Sequence, residues 1–98
     1  VKSVVFSVMA EEDLESIADY ISRDSPVRAL NFVQELRKQC LDLSLLPKSY
    51  RKFPELGENV YIMPYKNYVV LYQLLENVVL IERIIHGARD IMNLLKND

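Results

Sequence analysis

The stretch Val78-Val79-Leu80-Ile81-Glu82-Arg83-Ile84-Ile85-His86-Gly87-Ala88-Arg89-Asp90 decides how the rest of this chain must fold. From Val78 to Ile85 every residue is apolar except Glu82 and Arg83. A run that apolar predicts a central strand, covered on both faces. Directly after it come the only histidine, one of two glycines and Arg89-Asp90, a polar cluster that ends the strand. A charge inside such a strand needs a partner, because burying it alone is costly. Arg83 must therefore pair inside the fold or face a site.

Upstream, Val60–Pro64 and Tyr68–Leu75 have strand character, joined by Tyr65-Lys66-Asn67. Glu76-Asn77 is a polar break that makes a hairpin with Val78–His86. Pro64 cannot donate to a ladder, which places its strand at a sheet edge. Downstream, Gly87 breaks the sheet, and Asp90–Lys96 has the spacing of a short helix, with Asp90 suited to its N-cap.

The front of the chain has a different period. Lys2–Phe6 is a short strand. Ser7 is an N-cap for a helix whose apolar face is Ala10, Leu14, Ile17, Ala18 and Ile21, ending near Arg23 or Asp24. Ser25-Pro26 starts a second helix, with a cap residue followed by proline at the first helical position. Its apolar face is Ala29, Phe32, Val33, Leu36, Cys40 and Leu43, and Pro47 closes it. The short link makes the two helices an antiparallel hairpin.

The predicted architecture is a single α+β domain over residues 1–98. It has a strand, an antiparallel helix hairpin, a three-stranded antiparallel sheet and a short C-terminal helix, in two layers. A helix hairpin covers one sheet face, yet both faces are apolar: Tyr68, Val70, Tyr72 and Leu74 alternate with Val69, Leu71, Gln73 and Leu75. The second face is expected to be bare and to bind another chain.

Composition narrows the function classes. Half of the 98 residues are hydrophobic and 27% are charged, as in ordinary folded domains. The net charge of −2 provides no basic field for nucleic acid, so specific DNA binding by this chain alone is not expected. One cysteine and one histidine, far apart, exclude a zinc site, and two isolated glycines exclude a phosphate loop. Residues 1–8 carry no secretion signal and no run is long enough for a membrane span, so a cytoplasmic protein without cofactors is expected. Lys48, Arg51 and Lys52 alternate with Tyr50 and Phe53 in the Lys48–Asn59 loop. Such a mixture can bind a nucleic-acid backbone. Three charges are few for that, and a solvated loop pinned by its aromatics is the simpler reading.

The residues also carry a family resemblance. Ser7, Ala10, Asp13-Leu14, Ile17 and Tyr20-Ile21 are followed by Ala29 with Phe32 to Leu36. Pro47 and Pro54-Glu55-Leu56-Gly57 come next, then Tyr68, Val70 and Tyr72. The series closes with Ile81, Arg83, Ile84 and His86-Gly87-Ala88-Arg89-Asp90. In this order, from about Phe6 to Ile91, they resemble the ParE branch of the RelE/ParE superfamily, toxins of bacterial toxin–antitoxin pairs. The resemblance implies a RelE-like two-layer fold with the first strand beside the last. It also implies a cognate antitoxin, encoded by the adjacent gene, that wraps the toxin with a short helix and an extended segment. ParE-type members poison DNA gyrase; RelE-type members cleave mRNA in the ribosome. Two departures matter. Tyr61 stands near the place where many ParE-like chains have arginine, and no tyrosine follows Asp90, as it often does in RelE-type nucleases.

These readings name the candidate residues. Tyr72, Arg83, His86 and Arg89 are the candidates for partner binding, although as a group Tyr61, Tyr65, Tyr68 and Tyr72 have the character of core or rim residues. Arg83 is expected to meet an acidic group, either on the antitoxin or in the Glu11-Glu12-Asp13 cluster. If the chain is a nuclease, Arg51, Lys52, Arg83 and His86 are the residue types that such chemistry needs. Strand alternation places Arg83 and His86 on opposite faces, so they do not read as one catalytic pair. His86 is expected instead to end the strand, hydrogen-bonded to backbone or to Asp90.

Overall fold

The computed structural model describes residues 2–87, 90, 91 and 93. Strand β1 (Ser3–Phe6) leads into helices α1 (Val8–Ser22) and α2 (Pro26–Asp42). Strands β2 (Arg51–Lys52), β3 (Val60–Tyr65), β4 (Tyr68–Leu74) and β5 (Val78–His86) follow. They form one five-stranded sheet in the order β1-β5-β4-β3-β2. β1 runs parallel to β5, and the other neighbours are antiparallel.

The helix starts follow their sequence signals. The Ser7 hydroxyl accepts the Ala10 N–H at 3.0 Å, and the Ser25 hydroxyl accepts the Arg28 N–H at 3.2 Å. Each satisfies one of the amide groups that a helix start leaves orphaned. α1 turns Ala10, Leu14 and Ile17 inward, and α2 turns Ala29, Leu36 and Cys40 inward. One core joins the hairpin to Tyr61, Met63, Val70, Tyr72, Val79, Ile81 and Ile84 of the sheet. Each large side chain fully removed from water there contributes about 1.5–3 kcal/mol.

Several expectations need correction. The sheet has five strands: β1 lies beside β5, as the resemblance implied, and the short β2, which was not anticipated, adds an edge. β5 is interior, but the middle place belongs to β4. β3 is not the edge: β2 pairs with it at Tyr61 and Ile62. Pro64 is still tolerated because it lies past the end of β2, where its missing N–H faces no partner strand. Nor is the second sheet face bare. Leu71 and Ile85 are buried there, and Val69 and Leu80 are half-buried. Val5, paired with Leu80, is an exposed apolar side chain on that face, but the more exposed ones lie elsewhere, at Val8, Met9, Tyr20, Val27, Leu30, Leu45 and Leu46.

The pairing of β4 with β5 slips once. Leu71 stands opposite Arg83 and Tyr72 opposite Ile81, which leaves Glu82 as an extra residue. Such a bulge bends the strand and re-aims the side chains beside it. It falls where β1 ends. Beyond Ile81, β5 has no strand neighbour on that side among the described residues, and side chains satisfy its backbone instead. The Ser7 hydroxyl donates to the Glu82 carbonyl at 2.7 Å. Asp13 accepts the Ile84 N–H at 2.8 Å, and Asp90 accepts the His86 N–H at 3.0 Å. An open strand edge is a template for unwanted pairing, and these three contacts close it.

Gly87 follows with a φ of 51°, a left-handed conformation that glycine adopts without strain. Gly87, Asp90, Ile91 and Asn93 are helical, in line with the short C-terminal helix; its other positions lie outside the described residues. Asp90 is itself helical rather than the cap before a helix, and its carboxylate turns back to the strand.

Candidate partner and target surface

Arg83 sits just after the bulge, where the start of α1 crosses β5. Its Nε and Nη2 donate to the two Asp13 oxygens at 2.9 and 3.0 Å. The same Asp13 takes the Ile84 N–H, so one carboxylate fixes both a side chain and the strand backbone. Forked pairing of this kind is charge-assisted and directional. The Asp13 hydrogen bond raises the Arg83 guanidinium above its ordinary pKa, against the opposing effect of partial burial. Of the two partners anticipated for Arg83, the acidic cluster of α1 is the one it meets, and Asp13 is the member that does so.

Register shows which candidates share a face. Arg51 pairs with Ile62, Ile62 with Leu71, and Leu71 with Arg83. Directly paired residues project to the same side, so this row starts on the face away from the core, and Arg83 reaches Asp13 at the edge of β5 that β1 leaves open. Across three strand spacings Arg51 and Arg83 are about 14 Å apart. Lys52, Tyr61, Tyr72 and Ile81 form the neighbouring row on the helix side. There the Tyr61 and Tyr72 rings stack at 5.4 Å, and Lys52 Nζ lies 6.0 Å from the Tyr61 ring centre.

A third row, Tyr65, Tyr68 and His86, ends the sheet on the helix side. Phe32 of α2 meets Tyr65 and Tyr68 edge-on at 5.5 and 5.6 Å, and Tyr68 meets the His86 ring at 5.3 Å. The bulge precedes Arg83, so it leaves Arg83 and His86 on opposite faces, as alternation required. The four residues of the nuclease alternative are therefore not gathered. Arg51 and Arg83 share the far face but are widely separated. Lys52 and His86 are on the helix side, in different rows.

His86 does end the strand, though through its backbone: its N–H goes to Asp90 while its ring stays exposed. Tyr72 is a correction. It is fully buried and its hydroxyl donates to the Pro47 carbonyl at 2.8 Å, so it shapes the core and the loop rather than touching a partner. Arg89 lies outside the described residues. Two residues that matter here were not singled out from sequence: Asp13 individually, and Tyr20. The signal available for Tyr20 was an aromatic off the apolar face of α1, and the structure leaves it 66% exposed.

The family model of the ParE toxin of the type II toxin–antitoxin system parDE matches residues 4–91. This chain belongs to the ParE toxin family. It is a ParE-type toxin of a type II toxin–antitoxin system. No curated protein matches it. Among solved structures it is similar to a chain of the chromosomal ParDE system from P. aeruginosa. That match has 21% identity and a TM-score of 0.76, and it covers 88% of this chain and 96% of the other. It is also similar to a chain of the RelBE2 toxin–antitoxin complex from Mycobacterium tuberculosis, at 22% identity, TM-score 0.65 and coverage of 87% and 96%. A chain of the RelB-RelE complex from Methanococcus jannaschii matches at 15% identity, TM-score 0.60 and coverage of 92% and 96%. These structures share the α+β fold with its mixed five-stranded sheet and two helices. This chain has the two-layer architecture and the β1–β5 pairing that the family resemblance implied.

Proposed function

We propose that this toxin acts by occupying its target rather than by cutting a substrate. DNA gyrase is the target, and a cognate antitoxin from the adjacent gene neutralises the toxin. The observation that carries this reading is the engagement of Arg83. Its guanidinium is committed to Asp13, while the His86 ring rests against Tyr68 on the opposite face. Cleavage through a 2′-hydroxyl needs a base, an acid and cations converging on one phosphate, and these residues do not converge. The exposed apolar side chains, with Val8 and Leu46 among the most exposed, supply surface for a partner chain.

A second reading, an mRNA endonuclease of the RelE kind, draws on one observation: Arg51 and Arg83 share a sheet face that could run along an RNA backbone. Gyrase supercoiling in the presence of purified toxin separates the two. Inhibition that the co-expressed antitoxin reverses supports the first reading. Full supercoiling at excess toxin contradicts it.

A further inference from the structure

Where the end of α1 approaches the β3–β4 turn, an open cavity of about 460 Å³ lies between Tyr20, Asn67, Tyr68 and His86. Its walls are aromatic, and each of the four side chains carries a polar group. Among the described residues none of these groups has a hydrogen-bond partner within the fold, although the Phe32, Tyr65 and Tyr68 rings hold the wall in place. Each of the four can donate a hydrogen bond. Burial, with the nearby Tyr20 hydroxyl as a smaller cause, raises the Tyr68 pKa, so Tyr68 remains a donor at neutral pH. No carboxylate is among the described lining residues. The Asp90 carboxylate is turned to the His86 backbone, and the Glu35 carboxylate accepts the Tyr65 hydroxyl. Ligand sites have this form: an apolar concavity with a few convergent polar groups.

We infer that this cavity is a binding site for a single carboxylate side chain, an aspartate or glutamate presented by a protein partner. The donors suit an anionic acceptor and the rings suit the carbons that carry it. The rim argues for one acidic side chain rather than a polyanion. Tyr20 also borders a cavity lined by Arg23, Asp24 and Arg28, and the next one along holds Arg28, Glu35 and Lys66. Two of these cations are already engaged, Arg28 with Asp24 at 2.9 Å and Lys66 with Glu35 at 4.0 Å. A polyanion needs a longer track of cations, whereas one acidic side chain needs only the donors of the cavity. The site is separate from the Arg51–Arg83 row, and it stands whether or not gyrase is the target.

The test is an NMR titration of the isotope-labelled toxin with N-acetyl-aspartate α-amide, whose side chain holds its one carboxylate. The comparison probes are the uncharged N-acetyl-asparagine α-amide, inorganic phosphate and a short oligothymidylate. Saturable shifts confined to Tyr20, Asn67, Tyr68 and His86 are expected. Binding should weaken about fivefold or more for the uncharged amide and for His86→Gln or Tyr20→Phe, on the scale of one or two lost hydrogen bonds. Both substituted residues are exposed, and an otherwise unchanged spectrum verifies their folding. Equal binding of aspartate and asparagine probes overturns the inference. So do shifts scattered over the surface, or tighter binding of phosphate or oligothymidylate.

Discussion

Asp13 grips Arg83 through both carboxylate oxygens and, with one of them, also holds the Ile84 N–H of the same strand. The pair joins α1 to β5 just past the Glu82 bulge, where β1 has ended. Asp13→Ala leaves a guanidinium and a backbone amide without their acceptor. The expected loss is about 2–3 kcal/mol in urea unfolding, since an unsatisfied polar group costs about 1–3 kcal/mol. Asp13→Asn keeps an acceptor and should lose less. Equal stability of wild type and Asp13→Ala would mean the contact is only incidental.

Tyr72 and Pro47 form a second tie, between the sheet and the loop after α2. Tyr72→Phe keeps the stacked ring but strands the Pro47 carbonyl. It should cost about 1–2 kcal/mol in the same assay. Antitoxin affinity, measured by calorimetry on the folded variant, should not change, because Tyr72 presents no surface. A large affinity loss would restore Tyr72 to the partner interface.

Cys40 is fully buried, and burial pushes its thiol up from 9.0 to about 12. The folded protein therefore disfavours the thiolate, while the unfolded chain ionises at its ordinary value. Stability from this residue is complete below pH 9 and falls as the pH rises past it, by at most about 1.4 kcal/mol per pH unit. Between pH 9 and 10 this decline should be visible in wild type and absent in Cys40→Ala, whose own stability is lower at every pH. Thiol alkylation at pH 8 should proceed only as fast as the chain unfolds.

Gly57 has a φ of 149°, and a Cβ there would lie 2.8 Å from Val60 Cγ2. Gly87 has a φ of 51°, but a Cβ there would meet the Asn67 carbonyl at 3.5 Å, an ordinary contact. Alanine at either position incurs backbone strain, about 1–2 kcal/mol for a left-handed residue. Gly57→Ala adds a clash with a buried valine. It should lower the thermal midpoint more than Gly87→Ala; the reverse order would contradict the steric reasoning.

Much of this fold was legible because short-range chemistry specified it. Ser7 and Ser25-Pro26 start both helices, and the strand periods of β3, β4 and β5 survive in the structure. The two-residue β2 was invisible because Arg51-Lys52 is too short to show a period. The Glu82 bulge was equally invisible, since it answers the end of β1, a tertiary event. The far face was misjudged because alternation shows which residues share a side but not how much of that side is covered. Tyr72 was misplaced for a related reason: buried and exposed tyrosines in one strand look alike until the Pro47 carbonyl arrives. Arg83 was better anticipated, because a charge in an apolar strand demands a counter-charge and α1 carries three acidic residues in a row at 11–13.

The most direct test of the claim that this toxin binds rather than cuts is mRNA 5′-end mapping in a translation reaction with purified toxin. The expected result is an unchanged set of ends at toxin concentrations that abolish gyrase supercoiling. New ends that appear with wild type and vanish with His86→Gln or Arg51→Ala would contradict it.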